Sequence, residues 1–125
     1  MHAHPPHQNE ISKTIWLGDF NRHHPLWDDL NNTHLFTAAN LDAASPLVDL
    51  IGTFEMEMPL PAGLPTIETF RTGSLSRPDN IFCSSSLLQA FVDCNTRPEL
   101  RPARTDHFPT TGTIDINPNR NDPTP

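Results

Sequence analysis

At 125 residues with a formal net charge of −7, the chain has room for one domain with its own core, and no basic surplus to hold nucleic acid by phosphate contacts alone. Hydrophobic residues make up 35%, above what disorder predicts, and no run approaches the ~20 apolar residues of a membrane span. The acidic balance is compatible with a carboxylate-rich site that recruits a divalent cation, and the absence of a signal-peptide core points to an intracellular protein.

Residues 1–13 read as a disordered leader, with His2, His4, His7 and Pro5-Pro6 but no apolar period. Thr14–Leu17 follows as a short strand of β-branched and aromatic residues ended by Gly18. Asp19, Asn21, His23 and His24 come next. Pro25 fixes that loop, and Leu26 and Trp27 are available to anchor it on the core. Adjacent histidines on extended backbone point opposite ways, so His23 and His24 suit loop packing better than a shared metal. Asn31–Thr37 reads as a loop with a helical turn. At Ser45-Pro46 an N-cap residue precedes a proline suited to the first helical position. Leu47, Leu50, Ile51 and Phe54 then fall at i, i+3, i+4 and i+7, so a helix is expected from there. Leu41 extends it backwards across a kink at Pro46.

Met56–Pro65, with three prolines and Gly63, reads as a connection. Thr66–Phe70 and Asn80–Cys83 read as strands with a turn at Thr72–Arg77 between them. Ser84-Ser85-Ser86 caps a helix over Leu87–Phe91. Residues 95–105 read as a surface loop, Phe108–Ile116 as a closing strand and 118–125 as a disordered tail. Cys83 and Cys94 fit no metal spacing and read as reduced thiols. The order β-α-β-β-α-β belongs to the α/β class, with polar groups beside strand ends, where such sheets build sites. Taken singly, Asp19, Asn21 and Asp79 suit turns, and Asp106-His107 suits a solvated loop end.

Taken together, Gly18-Asp19-Phe20-Asn21, Ser76-Arg77-Pro78-Asp79 and Thr105-Asp106-His107 stand in order, each beside a strand. They resemble the C-terminal half of the endonuclease/exonuclease/phosphatase superfamily, the group of abasic-site endonucleases, DNase I and inositol-polyphosphate phosphatases. The extension from Asn21 to Trp27, with His23-His24-Pro25-Leu26-Trp27, is similar more narrowly to the endonuclease domains of non-LTR retrotransposons. The resemblance runs from about Ile15 to Ile116. It implies a partial domain at 14–117, half of the two-sheet α/β sandwich of the DNase I-like fold, with one mixed sheet and flanking helices.

The resemblance also implies an ancestral reaction, metal-dependent hydrolysis of a DNA phosphodiester, with Mg2+ or alternatively Mn2+. Asp19 would orient and activate the attacking water, and Asn21 would hold the phosphate and nucleophile. His107 would donate to a phosphate oxygen, with Asp79 on its other nitrogen. Asp106 would lie near the metal, and Thr66 would contact phosphate. Such residue types suit the chemistry: a carboxylate handles water, amide and imidazolium donors bind oxygens, and a cation neutralises developing charge.

The family's domain is longer, and its other half brings an asparagine and the glutamate that is the main metal ligand. Nothing around Glu10 resembles that glutamate's strand. The resemblance therefore implies half of a site, and a sheet with one face uncovered and open to self-association or a partner chain. Two alternatives stand beside a truncated endonuclease: a non-catalytic remnant or interaction module, and a phosphatase or lipid phosphodiesterase on the same scaffold.

Overall fold

The computed structural model describes residues 13–115, so the expected leader (Lys13 excepted), Glu10, Ile116 and the expected tail lie outside the described residues. Strand β1 (Ile15–Asp19) pairs antiparallel with β5 (Asp79–Ser84), setting Ile15 opposite Cys83 and Asp19 opposite Asp79. Strand β2 (Met56–Glu57), within the expected connection, joins the far side of β5 at Ser84 and Cys83. Alternation along the strands sends Trp16 and Phe82 to one face and Ile15, Leu17 and Ile81 to the other.

The first face is packed. Trp27, Ala44, Met56 and Phe82 form its buried cluster, with Trp16, Phe20 and Ile51 against it. Phe82 meets Phe20 edge-on at 5.2 Å and Trp27 at 6.1 Å between ring centres. Trp27 thus anchors the histidine loop as expected, whereas Leu26 beside it is exposed. The second face is open only in part: Ile15 and Ile81 are half-buried and Cys83 is buried, whereas Leu17, in mid-strand, is 69% exposed. Beside it lies an apolar cleft of about 370 Å³ lined by Ile15, Leu17, Ile81, Phe91 and Ile114, with Asp19 and Asp79 also on its wall.

Helix α1 (Ala38–Thr53) covers the packed face and begins well before Ser45. Its N-cap is Thr37, whose Oγ1 accepts from the Asn40 N–H at 3.1 Å. The start is earlier because the buried stripe is: Leu41 and the fully buried Ala44 belong to it, together with Val48 and Ile51. Leu50 and Phe54, expected on the stripe, are exposed, though Phe54 meets Trp16 edge-on at 5.9 Å. Pro46 therefore sits inside the helix, where it supplies no N–H to the Asp42 carbonyl. Pro46→Ala is expected to raise stability by roughly 1–3 kcal/mol, read as a higher midpoint in thermal unfolding.

The expected strand at Thr66–Phe70 narrows to β3 (Ile67–Glu68), which forms a hairpin with β4 (Leu75–Ser76). The helix expected over Leu87–Phe91 stops early. Helix α2 (Ser85–Leu88) gives way to β6 (Phe91–Thr96), which pairs with β7 (Thr110–Ile114). Aromatic and β-branched residues at Phe91, Val92 and Thr96 favour that ladder, and β6 takes the start of the expected 95–105 loop. The α/β class stands. The described strands, however, form three antiparallel sheets (β1-β5-β2, β3-β4 and β6-β7) rather than one mixed sheet. Of the paired strands, only β3 and β4 are joined by a short turn; β5 lies between β1 and β2 although α1, β2, β3 and β4 intervene between β1 and β5 in the chain. Both cysteines are free thiols, and burial pushes Cys83 up to about 11. Among the described residues no helix is long and apolar enough to cross a membrane.

Candidate active site

The site forms where β1 ends. Gly18 has φ +144°, a conformation glycine adopts without strain, and Asn21 turns left-handed at φ +50°. The turn is pinned twice: the Asn21 N–H donates to Asp19 Oδ1 at 2.9 Å, and the Phe20 N–H donates to the Pro78 carbonyl at 3.0 Å. Asp19 is therefore held where β1 meets the start of β5, directly across from Asp79.

His107 arrives from the other end of the chain. The Glu68 N–H donates to the Asp106 carbonyl at 3.0 Å and the Phe108 N–H to the Thr66 carbonyl at 2.8 Å, so segment 106–108 runs beside β3. An isolated antiparallel bridge sets His107 opposite Ile67. The imidazole Nδ1 lies 2.7 Å from Asp79 Oδ2, and Nε2 lies 4.0 Å from Asp19 Oδ2. With a carboxylate as acceptor, Nδ1 carries the proton. This hydrogen bond raises the His107 pKa above the ordinary imidazole value against the opposing effect of burial, and the charges of Asp79, Asp19 and Asp106 add to the rise.

Two carboxylates directly opposite each other on adjacent strands repel, a local cost that nothing in the packing requires. A cation between them removes it, and His107 stands in that position. Asp19, Asp79 and His107 each offer a ligand atom, all within 4.8 Å of one another, so the three could hold a metal ion. Asp79 Oδ2 is engaged by His107 and Asp19 Oδ1 by Asn21. Asp19 Oδ2 and Asp79 Oδ1 are left, which suits a hard cation that keeps most of its waters.

The remaining expected residues divide. Asn21 is exposed beside the site and lines a cavity of about 380 Å³ with His23, His34, Ile67, Thr72 and Leu75. Asp106 is half-buried and stands outside the Asp19–Asp79–His107 group, acting on His107 through its charge. Thr66 is 0% exposed and offers no atom to a phosphate; its hydroxyl accepts from the Asp79 N–H at 3.1 Å.

Asp28, Arg77 and Asn80 are buried and had no expected role. Asp28 accepts the His24 N–H and the Arg77 N–H, each at 3.0 Å, and so ties the histidine loop to the segment before Asp79. His23 and His24 serve that loop: His23 Nδ1 lies 3.6 Å from Asp28 Oδ2, and His24 rests on Trp27 at 5.3 Å between ring centres. Burial lowers the His24 pKa, partly offset by Asp28. The Arg77 guanidinium donates to the side chain of Asn80 and to backbone carbonyls, and desolvation brings Arg77 down to about 10. The sequence signal was the position of Arg77 inside a recognised motif; for Asp28 there was none.

A family model described as endonuclease-reverse transcriptase matches residues 4–111. The chain belongs to that family. Among solved structures, this family member is similar to the endonuclease domain of TRAS1, a telomere-specific non-LTR retrotransposon. The two share 22% identity at a TM-score of 0.57, over 82% of this chain and 43% of that one. At that identity the likeness is one of fold, and it identifies the DNase I-like architecture. The chain spans less than half the length of the structure it matches. No curated protein matches it.

Proposed function

We propose that this endonuclease-family chain carries, over residues 14–117, the water- and phosphate-side groups of a DNA phosphodiester-hydrolysing site. The observation that carries the reading is Asp19 opposite Asp79 across β1 and β5, with His107 bonded to one and facing the other. Asp19, its Oδ1 fixed by the Asn21 N–H, turns Oδ2 to the attacking water as orienter and base. Asp79 holds the Nδ1–H and favours the imidazolium, whose Nε2–H points away from Asp79 and donates to a phosphoryl oxygen. Asn21, exposed at the left-handed turn, offers its amide to the phosphate and nucleophile.

Asp19 and Asp79, with Asp106 acting through water, would hold Mg2+, or Mn2+ in its place. A cation there would neutralise charge building on the phosphoryl oxygens. Steady-state assays separate this reading from a monoesterase: bis(p-nitrophenyl) phosphate should be hydrolysed in magnesium but not in EDTA, and p-nitrophenyl phosphate much more slowly. Preference for the monoester would move the chain to the phosphatase branch, and no hydrolysis of either would overturn the catalytic reading.

A second reading rests on the partly open face of β1 and β5, where Leu17 is exposed. Leu17 and Ile81 present an apolar surface that a covering layer would bury, so the chain also acts as an interaction module, through self-association or a partner chain. Leu17→Lys is expected to shift sedimentation towards monomer while changing stability by no more than about 0.5 kcal/mol. An identical sedimentation profile in wild type and variant would count against it.

A further inference from the structure

Beside β1, the register decides which way the backbone of Asp79 faces. The Phe20 N–H donates to the Pro78 carbonyl, so residues 20 and 78 are a hydrogen-bonded pair. Asp19 and Asp79, one step along, are then a non-hydrogen-bonded pair, and the N–H and C=O of Asp79 turn away from β1. On that outer side β2 reaches β5 only at Cys83 and Ser84. Along 79–81 no strand is there to take these groups, and buried backbone groups need partners.

Side chains take the strand's place. Thr66 Oγ1 accepts the Asp79 N–H at 3.1 Å, and Arg77 Nε donates to the Asp79 carbonyl at 3.2 Å. Asn80 Oδ1 accepts the Ile81 N–H at 3.0 Å and is itself held by Arg77 at 2.8 Å. The other guanidinium donors reach the carbonyls of Leu60, Pro61 and Leu64, fastening the connection that delivers Thr66. Thr66 is 0% exposed and Arg77 1%.

Thr66 is also the link to His107. Its N–H donates to the Ser76 carbonyl and its C=O accepts the Phe108 N–H, both at 2.8 Å. One buried residue thus holds Asp79 through its side chain and the neighbour of His107 through its backbone. We propose that Thr66 and Arg77 are positioning residues that clamp the backbone of Asp79 from both sides and so set its carboxylate against His107. This deepens the phosphodiester-site reading and rests on it for its functional meaning, but the geometry is testable without substrate or metal.

The test is NMR on the whole chain, following the His107 Nδ1–H proton. In the wild type, that proton should resonate far downfield and exchange slowly with water. Thr66→Val keeps the shape and both backbone bonds of Thr66 and removes only the acceptor for the Asp79 N–H. It should move the resonance upfield and speed exchange roughly five- to tenfold, about what the loss of one net hydrogen bond corresponds to. Thr66→Ser should restore both. Arg77→Lys keeps the charge but not the fork of donors, and should act in the same direction as Thr66→Val. Phe82→Leu should lower the melting temperature without moving the signal, which separates positioning from general destabilisation. If Arg77→Lys does not fold, Thr66→Val decides. A folded Thr66→Val chain with the wild-type resonance and exchange rate overturns the proposal, as does a wild type with no protected Nδ1–H. A positive result in a chain that cleaves nothing would leave the clamp standing and remove the catalytic reading alone.

Discussion

Exchanging Asp79 for asparagine is expected to slow phosphodiester cleavage by about 10²-fold or more and to move the alkaline limb of the pH–rate profile to lower pH. The Asp79 carboxylate, 2.7 Å from His107 Nδ1, is the main cause of the raised imidazole pKa. In the proposed mechanism His107 donates as an imidazolium, so activity falls as pH rises through its pKa. Without the Asp79 charge that pKa drops, and the fall begins earlier. Stability carries the same sign. A histidine whose folded pKa lies above its unfolded one contributes stability fully present below the unfolded pKa and lost as pH rises through the folded one. That contribution is small, because the His107 side chain is 44% exposed and solvent screens its ion pairs. Rate profiles of the two chains, with urea unfolding on either side of the imidazole pKa, read both effects. An alkaline limb unmoved in the asparagine chain would contradict the role given to Asp79.

Asp28→Ala is expected to cost roughly 3–5 kcal/mol of stability, although Asp28 lies on a loop and touches no substrate. Both of its carboxylate oxygens are used, on the Arg77 and His24 N–H groups. Alanine strips those two donors of their acceptor, at about 1–3 kcal/mol for each buried group left unpaired. It also removes the carboxylate that most supports the buried Arg77 charge. Asp28→Asn keeps an acceptor while losing the charge, and should lie between wild type and alanine. Urea unfolding should show a lower midpoint with an unchanged slope. A loss below about 1 kcal/mol in the alanine chain would refute the account of Asp28 as the tie between the histidine loop and β5.

Much of the site was legible because its residues sit in short motifs tied to strand ends. Thr14–Leu17 and Asn80–Cys83 announced β1 and β5 by composition, and register then places Asp19 against Asp79. The pairing of Asp79 with His107 followed from the family resemblance and appears as a 2.7 Å contact. What was not legible depended on direction. Thr66 stands in the right place in the chain, but whether its hydroxyl faced a phosphate or the backbone depended on how the segment before β3 meets β5. Asp28 and Arg77 meet across 49 residues of sequence, and no local pattern announces such a pair. Ser45-Pro46 imitated a helix start because the rule for caps is local, whereas burial of Ala44 against Met56 and Phe82 of the sheet extends α1 through the proline. Likewise β6 needed β7 as a partner before its aromatic and β-branched residues could prevail over the serine cap ahead of them.

The most direct measurement is nicking of supercoiled plasmid in magnesium by the wild-type chain, Asp19→Ala and His107→Ala, purified in parallel. The wild type should convert supercoiled to open-circular DNA, and each substitution should reduce the rate by about 10²–10⁴-fold. Nicking that proceeds equally in all three would contradict the assignment of Asp19 and His107 to the chemistry, and no nicking by the wild type would contradict activity in this chain.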